Sequence, residues 1–374
     1  MRESQAIQRL RRIATSPAAL GLADDTALLD GLVLTHDSIA EGIHFLPSDP
    51  AASVGWKLVT VNLSDLAAKG ATPAAALLSL ALSGDDVWDM SFLDGIEAAC
   101  ESYGLALVGG DTIALPAGAP RVFGLTAIGR AGEAVPLRMG GKDGDALWLV
   151  GTLGDSAAGL ALLEADAAAT GVLVDVYRRP VPLLAAGQAL APHAHAMMDV
   201  SDGLLIDTMR LAEASGLSAS IDLDAVPLSR AFVAERSADA EARLFAATGG
   251  DDYALLAALD PEADPLRLSL PSGTTIVRIG TLSAEGPLLS LVSGGSPVPL
   301  PERLGHEHRS NSASPVADRC DGPRVRSAGG PTASLRASST RLPAANSVHK
   351  HLARSLAATC SRFGIAAKTG KNFR

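Results

Sequence analysis

The chain has 374 residues, with 31 Lys and Arg against 41 Asp and Glu, and 47% of its residues are hydrophobic while only 3% are aromatic. This length and composition are typical of a soluble globular protein of about two domains. Residues 306–374 carry 12 basic and three acidic residues, which leaves 19 basic and 38 acidic residues in 1–305. A body with a net charge of −19 repels nucleic acid, which excludes a nucleic-acid-binding function for it.

We expect neither a targeting segment nor a membrane span. Its first twelve residues lack the apolar run of a signal peptide, and the longest apolar stretch, Ala71 to Leu82, is shorter than the roughly 20 residues that span a bilayer. Residues 1–305 contain one cysteine, Cys100, so neither a disulfide framework nor a Cys-based metal site forms there. We expect a cytoplasmic protein that does not contact membranes, in which any metal is a hard cation on oxygen ligands.

The first part of the chain alternates helical patterns with β-type runs. A helical pattern over residues 4–14 comes first, and β-type runs follow at residues 31–39 and 121–129. Two further helical patterns lie between those runs, at residues 54–69 and 90–103. This order predicts an α/β or α+β unit.

A glycine-rich segment over residues 138–145 separates this unit from a second one, and we place a domain boundary near residue 137. The second unit begins with a strand pattern at residues 146–151. A later strand pattern at residues 194–200 leads into a helix that Gly216 ends. The second unit is therefore also α/β.

Three segments are predicted: an N-terminal domain over residues 1–137, a C-terminal domain over 138–305 and a basic tail over 306–374. The tail is rich in Ser, Ala, Arg, Pro and Gly and lacks sustained apolar periodicity, which is typical of a disordered chain. It contains only two aromatic residues, so we expect solvated disorder rather than an RNA-binding or membrane-binding surface.

The main indication of a functional site is a set of carboxylates. We place them at the ends of β-type runs, next to small residues. They are Asp24, Asp25, Asp37, Asp65, Asp111, Asp199, Asp202, Asp251 and Asp252. Converging carboxylates raise one another's pKa unless a cation neutralises them, so the set indicates Mg²⁺ and, less strongly, Ca²⁺. Any single Asp has an ordinary interpretation as a helix cap or turn residue, so the prediction depends on the set. The P-loop, GxGxxG, HExxH and GxSxG patterns are absent.

Seven segments, read in order, resemble thiamine-monophosphate kinase. They are LADDTALL (22–29), LTHDSIAEGIHF (34–45), VNLSDLAAKGATP (61–73), GGDT (109–112), GDSAAGL (154–160), MDVSDGL (198–204) and TGGDDYALL (248–256). The resemblance covers about residues 1–305 and is more specific than a likeness to the wider superfamily of aminoimidazole ribonucleotide synthetase and selenophosphate synthetase. It implies the two-domain α/β fold of that superfamily, with an N-terminal domain that binds ATP and Mg²⁺ and pairs two copies into a homodimer.

The resemblance implies that the protein phosphorylates thiamine monophosphate to thiamine diphosphate with ATP, and that Mg²⁺ is its cofactor. The implied Mg²⁺ ligands are Asp25, Thr35, Asp37, Asp65, Asp111, Asp199 and Asp202. The implied ATP contacts are Gly110, Asp111, Arg138 and Ser201, and the implied thiamine phosphate contacts are His44 and Asp251. No catalytic base is assigned, because the accepting phosphate oxygen is already deprotonated.

Four positions depart from the pattern that the resemblance implies. Ala23 replaces the usual Gly, and His36 replaces a Thr, which puts an imidazole where a hydroxyl near the metals is expected. Asp251 replaces Glu and reaches one methylene less far. His306 stands where an aromatic residue that stacks on thiamine is expected, and the basic tail follows it. We hypothesise that this abrupt change reflects a frameshifted coding sequence, and a real extension is the alternative.

Two other functions stay open at this stage. The altered C-terminus favours a nucleotide- and Mg²⁺-binding module that no longer turns over, which would bind ATP without forming thiamine diphosphate. The second alternative is another ATP-dependent synthetase of the same superfamily, acting on an amide or a selenide. Selenide chemistry usually uses an N-terminal Cys or selenocysteine, and this chain has no Cys before Cys100.

Overall fold

The computed structural model describes residues 3–306, so the predicted disordered tail lies outside the described residues from residue 307 onward. The described helices are α1 (Glu3–Leu10), α2 (Ala51–Ala68), α3 (Asp86–Tyr103), α4 (Asp155–Ala165), α5 (Val172–Arg178), α6 (Leu184–Leu190), α7 (Leu204–Ser215), α8 (Arg230–Arg236) and α9 (Ala240–Gly249). Short 3-10 helices are found at Pro17–Leu22, Leu223–Ala225 and Pro265–Arg267. None of the helices in residues 3–306 is long and apolar enough to cross a membrane.

The strands of this part of the chain form two sheets. They are β1 (Ala27–Leu29), β2 (Leu32–Ala40), β3 (Thr72–Leu82), β4 (Ala106–Ala114), β5 (Val122–Arg130), β6 (Ala146–Val150), β7 (Ala194–Val200), β8 (Ser218–Asp222), β9 (Ala254–Leu259), β10 (Ile276–Ser283), β11 (Leu289–Ser293) and β12 (Ser296–Val298). The N-terminal sheet has the order β1-β2-β5-β3-β4, and the C-terminal sheet has the order β12-β11-β8-β10-β6-β9-β7. The predicted mixed α/β character is confirmed for both units.

The N-terminal sheet is covered on one face by α2 and α3. Phe123 and Leu125 of β5 are buried in one cluster with Leu58 of α2 and Phe92 of α3. Strand β4 lies at the edge of the sheet, parallel to β3, and all nine of its residues are exposed. One edge of this sheet, with its unpaired backbone groups, is therefore open in the isolated chain.

The C-terminal sheet has a continuous core. All six residues of β9 are buried, as expected for an apolar strand that lies between two neighbours and is covered on both faces. Helix α7 follows β7 and ends at Gly216, whose φ of 67° places it in the left-handed region. The predicted helix end at Gly216 is therefore confirmed.

Helix α2 is buried at sixteen of its eighteen positions and lies between the two sheets, against β2 and β5 on one side and β7 and β9 on the other. A helix that is apolar on all sides is typical of such an interior position. Gly187 of α6 allows close packing there, because a Cβ atom would stand 1.9 Å from the Ala67 carbonyl oxygen. Two polar side chains of α2 face the junction of the two sheets, since Ser64 donates to Asp199 of β7 at 2.6 Å and Asp65 accepts from Thr35 of β2.

Three of the predicted carboxylates do not lie at the ends of β-type runs, where they were expected. Asp37 and Asp111 lie inside β2 and β4, and Asp65 lies inside α2. The prediction was wrong because small polar residues inside an element look like turn residues in a linear pattern. Asp65 faces the sheet junction from the helix, and Asp37 reaches the same place from the neighbouring strand.

Candidate active site

Three carboxylates from three distant segments of the chain meet at the junction of the two sheets. Asp25 precedes β1, Asp65 belongs to α2 and Asp199 belongs to β7. One oxygen from each of these side chains lies within 4.8 Å of the others. Hard divalent cations bind such oxygen groups, so the donor set fits Mg²⁺.

Strand β2 adds two further oxygen groups to this cluster. The Thr35 hydroxyl donates a hydrogen bond to Asp65, and the backbone N–H of Asp37 donates to the side-chain oxygen of Asn62 at 2.9 Å. Thr35 and Asp37 are two residues apart, so they project to the same face of the sheet. That face is the one covered by α2.

His36 projects to the opposite face of β2. Its Nδ1 lies 2.9 Å from the Thr126 hydroxyl and its Nε2 lies 3.4 Å from the Ser38 hydroxyl. In the single chain its imidazole therefore does not face the three carboxylates of the cluster, and its expected place near the metals stays a prediction. The physical reason is the alternation of side chains along a strand, since Thr35 and Asp37 already face the carboxylates.

Burial and mutual repulsion raise the pKa of three carboxyl groups in the cluster. Burial is the largest cause, and it raises the pKa of Asp199 to about 8 with the help of the charge on Asp25. Burial, followed by Asp25 and Asp202, raises the pKa of Asp37 to about 6. Burial raises the pKa of Asp65 well above its ordinary value, with smaller contributions from Asp37 and Asp199. These groups are in the state in which a bound cation would stabilise their charged form.

Asp24 and Asp25 are in a different state, because the chain supplies cations for them. The Lys69 ammonium, which is fully buried, lies 2.8 Å from Asp24 Oδ1 and 3.3 Å from Asp25 Oδ2. It also donates to the Met197 carbonyl at 3.0 Å. The Arg138 guanidinium pairs with Asp25. Burial favours the neutral form of Asp25, but Arg138 and Lys69 outweigh it and lower its pKa.

A second arginine stands at the C-terminal side of the cluster. Arg210 of α7 lies 2.5 Å from Asp202 Oδ2 and 2.8 Å from Asp207 Oδ1. The backbone N–H of His306 donates to the Asp202 carbonyl at 2.9 Å, so the residue that replaces the expected aromatic lies next to the cluster. Arg210 and His306 thus both lie beside Asp202.

The two residues implied for thiamine phosphate are joined by Lys57 of α2. Its ammonium lies 2.5 Å from Asp251 Oδ2 and 3.0 Å from the His44 carbonyl oxygen. The backbone N–H of Asp251 donates to the Ser201 carbonyl at 2.6 Å. His44, Ser201 and Asp251 therefore belong to one connected region.

Gly110 and Asp111 lie apart from this region in the single chain. They belong to β4, which is separated from β2 by β3 and β5. Three strand spacings of about 4.8 Å put the two strands roughly 14 Å apart. The chain thus brings together Asp25, Thr35, Asp37, Asp65, Arg138, Asp199 and Asp202, whereas Gly110 and Asp111 stand at the exposed edge.

The sequence reasoning missed Lys57, Lys69 and Arg210. Each lysine interrupts or ends an otherwise apolar helix, and both are among the largest fully buried side chains of the described residues. A charged residue in an apolar helix signals a buried ion pair, because an unpaired buried charge is too costly to keep. The segment WKLVTVNLSDLAAK (56–69) contains both lysines, so the sequence could predict two buried ion pairs, although it could not identify the carboxylates that form them.

The comparisons with known proteins agree with one another. Residues 23–131 match the family "AIR synthase related protein, N-terminal domain", and residues 142–287 match the corresponding C-terminal domain family. The thiamine-monophosphate kinase of Caulobacter vibrioides is 38% identical over 323 residues, which cover 81% of this chain and 89% of the relative.

Two solved structures are also similar over most of the chain. A structure described as AaThiL complexed with AMPPCP and TMP superimposes with a TM-score of 0.71 at 30% identity, covering 82% of this chain and 97% of that one. The thiamine-monophosphate kinase of Stenotrophomonas maltophilia gives a TM-score of 0.61 at 34% identity, covering 79% and 96%. With its two AIR synthase-related domains, the chain belongs to the thiamine-monophosphate kinase family.

Proposed function

We propose that this protein transfers the γ-phosphoryl group of ATP to the phosphate of thiamine monophosphate, forming thiamine diphosphate and ADP. The observation that carries the proposal is the convergence of Asp25, Asp65 and Asp199 from three distant segments at the sheet junction. Related proteins of this activity and a relative in complex with an ATP analogue and TMP support it. Two anionic substrates meeting beside buried carboxylates require cations between them.

We further propose that the cluster holds Mg²⁺. The ligands would be the side chains of Asp25, Thr35, Asp37, Asp65, Asp199 and Asp202. Bound Mg²⁺ would neutralise phosphate charge and help to align the attacking and leaving oxygens. The raised pKa values of Asp37 and Asp199 support this proposal, because carboxyl groups in that state gain most from a nearby cation.

The residues of the chain contribute positioning and charge. A bond forms between an acceptor phosphate oxygen and the γ-phosphorus, the bond from that phosphorus to the bridging oxygen breaks, and its electron pair leaves with ADP. No side chain needs to remove a proton. We propose that Arg138 and Ser201 contact ATP, and that His44 and Asp251 hold the thiamine phosphate.

A homodimer is part of the proposal. Strand β4 exposes Leu107, Val108 and Ile113 by 50%, 62% and 54%, and an unpaired apolar edge strand favours association with another chain. Since Gly110 and Asp111 lie on this edge, a second copy covering it would place them at the interface. Sedimentation of the wild type as a dimer and of Val108→Glu as a monomer would support this, whereas a monomeric wild type would contradict it.

We also propose a division of the chain into two domains and a cellular location. The N-terminal sheet lies within residues 1–137 and the C-terminal sheet within residues 138–305, which supports a domain division near residue 137. A cytoplasmic location is proposed because the reaction uses ATP and the only described cysteine, Cys100, is free.

The test is thiamine diphosphate formation from thiamine monophosphate and Mg-ATP by the full chain, compared with Asp199→Asn. Activity in the wild type that is lost in the variant is expected, because Asp199 is one of the three converging carboxylates. Absence of product from a wild type that binds both substrates would overturn the proposed reaction.

One observation favours a second candidate, a protein that binds nucleotide without turnover. His306, in the place of the expected aromatic, is held beside Asp202 by its backbone hydrogen bond. ATP binding without product in the wild type, together with turnover in His306→Tyr, would favour this candidate. Turnover by the wild type would exclude it.

A further inference from the structure

Lys57 is a buried cation that contacts three other residues. Its side chain is only 2% exposed. The ammonium contacts Asp251 Oδ2 at 2.5 Å, the His44 carbonyl oxygen at 3.0 Å and the face of the Tyr177 ring at 4.2 Å. The ammonium thus donates two hydrogen bonds, to the segment that carries His44 and to the carboxylate of Asp251, and the Tyr177 ring adds a cation–π contact. Lys57 therefore links the two residues that are implied for the thiamine phosphate.

The carboxylate of Asp251 is held by three donors. Its Oδ2 accepts hydrogen bonds from Lys57 and from the Ser156 hydroxyl at 2.9 Å, and its Oδ1 accepts one from the Tyr253 hydroxyl at 2.8 Å. A carboxylate offers about four acceptor positions, so about one position on Oδ1 is left for another donor. The clamp thus leaves Asp251 able to receive one hydrogen bond in a defined direction.

The backbone that carries this carboxylate is also unusual. Asp251 and Tyr253 have φ values of 64° and 54°, in the left-handed region that side-chain-bearing residues seldom adopt. Such conformations persist where the surroundings fix them, and they cluster at functional sites. The backbone N–H groups of both residues are anchored to the carbonyls of Ser201 and Val200.

We propose that Lys57 is the positioning residue for thiamine monophosphate. From α2 it fixes both the Asp251 carboxylate and the His44 segment, so that the remaining acceptor position on Asp251 meets an N–H donor of the thiamine moiety. This inference rests on the proposed function and on the placement of His44 and Asp251 at the thiamine phosphate. Lys57 then contributes to the affinity for thiamine monophosphate and not to the affinity for ATP.

The test is steady-state kinetics of the full chain with both substrates varied, for the wild type and for Lys57→Met. Met keeps most of the side-chain volume and removes the charge. We expect the KM for thiamine monophosphate to rise by about 30-fold or more, since one partner of a buried charge pair is lost. The KM for ATP is expected to stay within about threefold, a split that a general structural defect does not produce.

A double-mutant cycle with Asp251→Asn separates positioning from simple packing. If Lys57 acts through Asp251, the double variant should bind thiamine monophosphate little worse than Asp251→Asn alone. Direct titration of thiamine monophosphate into enzyme loaded with Mg²⁺ and a non-hydrolysable ATP analogue gives the same comparison without turnover. Additive effects of the two substitutions would overturn the inference.

Tyr253→Phe keeps the inference testable even if Lys57→Met does not fold. It removes one of the three donors to Asp251, and we expect a rise of about threefold in the same KM. Unchanged KM values in a folded Lys57→Met, or in Tyr253→Phe where Lys57→Met does not fold, would overturn the positioning role and leave the proposed function intact. A wild type that neither binds nor phosphorylates thiamine monophosphate would overturn both.

Discussion

Two groups of buried carboxylates at the same sheet junction behave in opposite ways. Asp25 has a lowered pKa because Lys69 and Arg138 outweigh its burial. Asp37 and Asp199 have raised pKa values, and in the described part of the chain no lysine or arginine pairs with either of them. Burial is similar in the two groups, so the difference is whether the chain supplies the cation itself. The comparison indicates that the chain neutralises one half of its acidic cluster with its own lysine and arginine, whereas the described residues supply no such partner to the other half.

The carboxylates of this cluster with raised pKa values, Asp37, Asp65 and Asp199, form the unpaired group. Removing one of them should have the largest effect. We expect Asp65→Asn to lower turnover by roughly 100- to 1,000-fold, as when one electrostatic stabiliser of a transition state is lost. Without Mg²⁺ the same variant should melt at a temperature equal to or above that of the wild type, because a repelled buried carboxyl group is removed. Turnover assays and thermal unfolding check the two effects, and a lower melting temperature in the absence of Mg²⁺ would contradict the second.

Asp24 and Asp25, which pair with Lys69 and Arg138, form the paired group. Removing one of its cations should lower the stability of the fold and not primarily the turnover. We expect Lys69→Met to lower the free energy of unfolding without Mg²⁺ by about 3–5 kcal/mol, since Asp24 and Asp25 lose their buried partner. Urea unfolding with and without Mg²⁺ measures this loss. Lys142→Met is the matched control at an exposed position, where the ammonium contacts His195 Nε2 at 2.8 Å, with an expected change of no more than about 1 kcal/mol. Equal effects of the two substitutions would remove the distinction between the groups.

The pH dependence of stability should follow the unpaired group in the absence of Mg²⁺. Folding raises the pKa of Asp199 from its ordinary 3.8 to about 8 and that of Asp37 from 3.8 to about 6. The folded protein therefore binds more protons than the unfolded chain at pH values between 3.8 and 8. The free energy of unfolding should therefore fall as pH rises from 4 to 8, by up to about 1.4 kcal/mol per pH unit for each proton released.

Unfolding at a series of pH values, with and without Mg²⁺, measures this dependence. Asp199→Asn should reduce the slope of the curve between pH 6 and 8, because it removes one of the groups that titrate there, while Asp207, whose pKa burial raises to about 7, keeps its contribution. Asp25 contributes the opposite sign, since its lowered pKa stabilises the fold above pH 4. A metal-free stability that rises from pH 6 to 8 would contradict the assignment of the unpaired group.

Asp202 lies between the two groups, because Arg210 pairs with it while it also raises the pKa of Asp37. We expect Asp202→Asn to raise the Mg²⁺ concentration that gives half-maximal activity by about fivefold, and to change the free energy of unfolding by no more than about 1 kcal/mol, as for a partly exposed pair. Mg²⁺ titration of turnover and urea unfolding check both values. A loss of activity as large as that of Asp65→Asn would place Asp202 in the unpaired group.

Much of the fold could be predicted from local patterns. The helix predicted over residues 54–69 is found at 51–68, and the strand over residues 194–200 and the helix end at Gly216 are found as predicted. They follow from apolar periodicity and from the backbone freedom of glycine, which are properties of a few neighbouring residues. The acidic character of the site was equally visible, since carboxylates recur beside small residues along the chain.

The tertiary structure alone decided which carboxylates meet and which of them are paired. Asp25, Asp65 and Asp199 are separated by 40 and by 134 positions and converge only because α2 packs between the two sheets. Lys57 and Lys69 could be recognised in the sequence as charges in an apolar helix, but their partners Asp251 and Asp24 belong to distant segments. Local composition determines which groups can ionise, whereas pKa values and ion pairs depend on distances and burial that exist only in the folded chain.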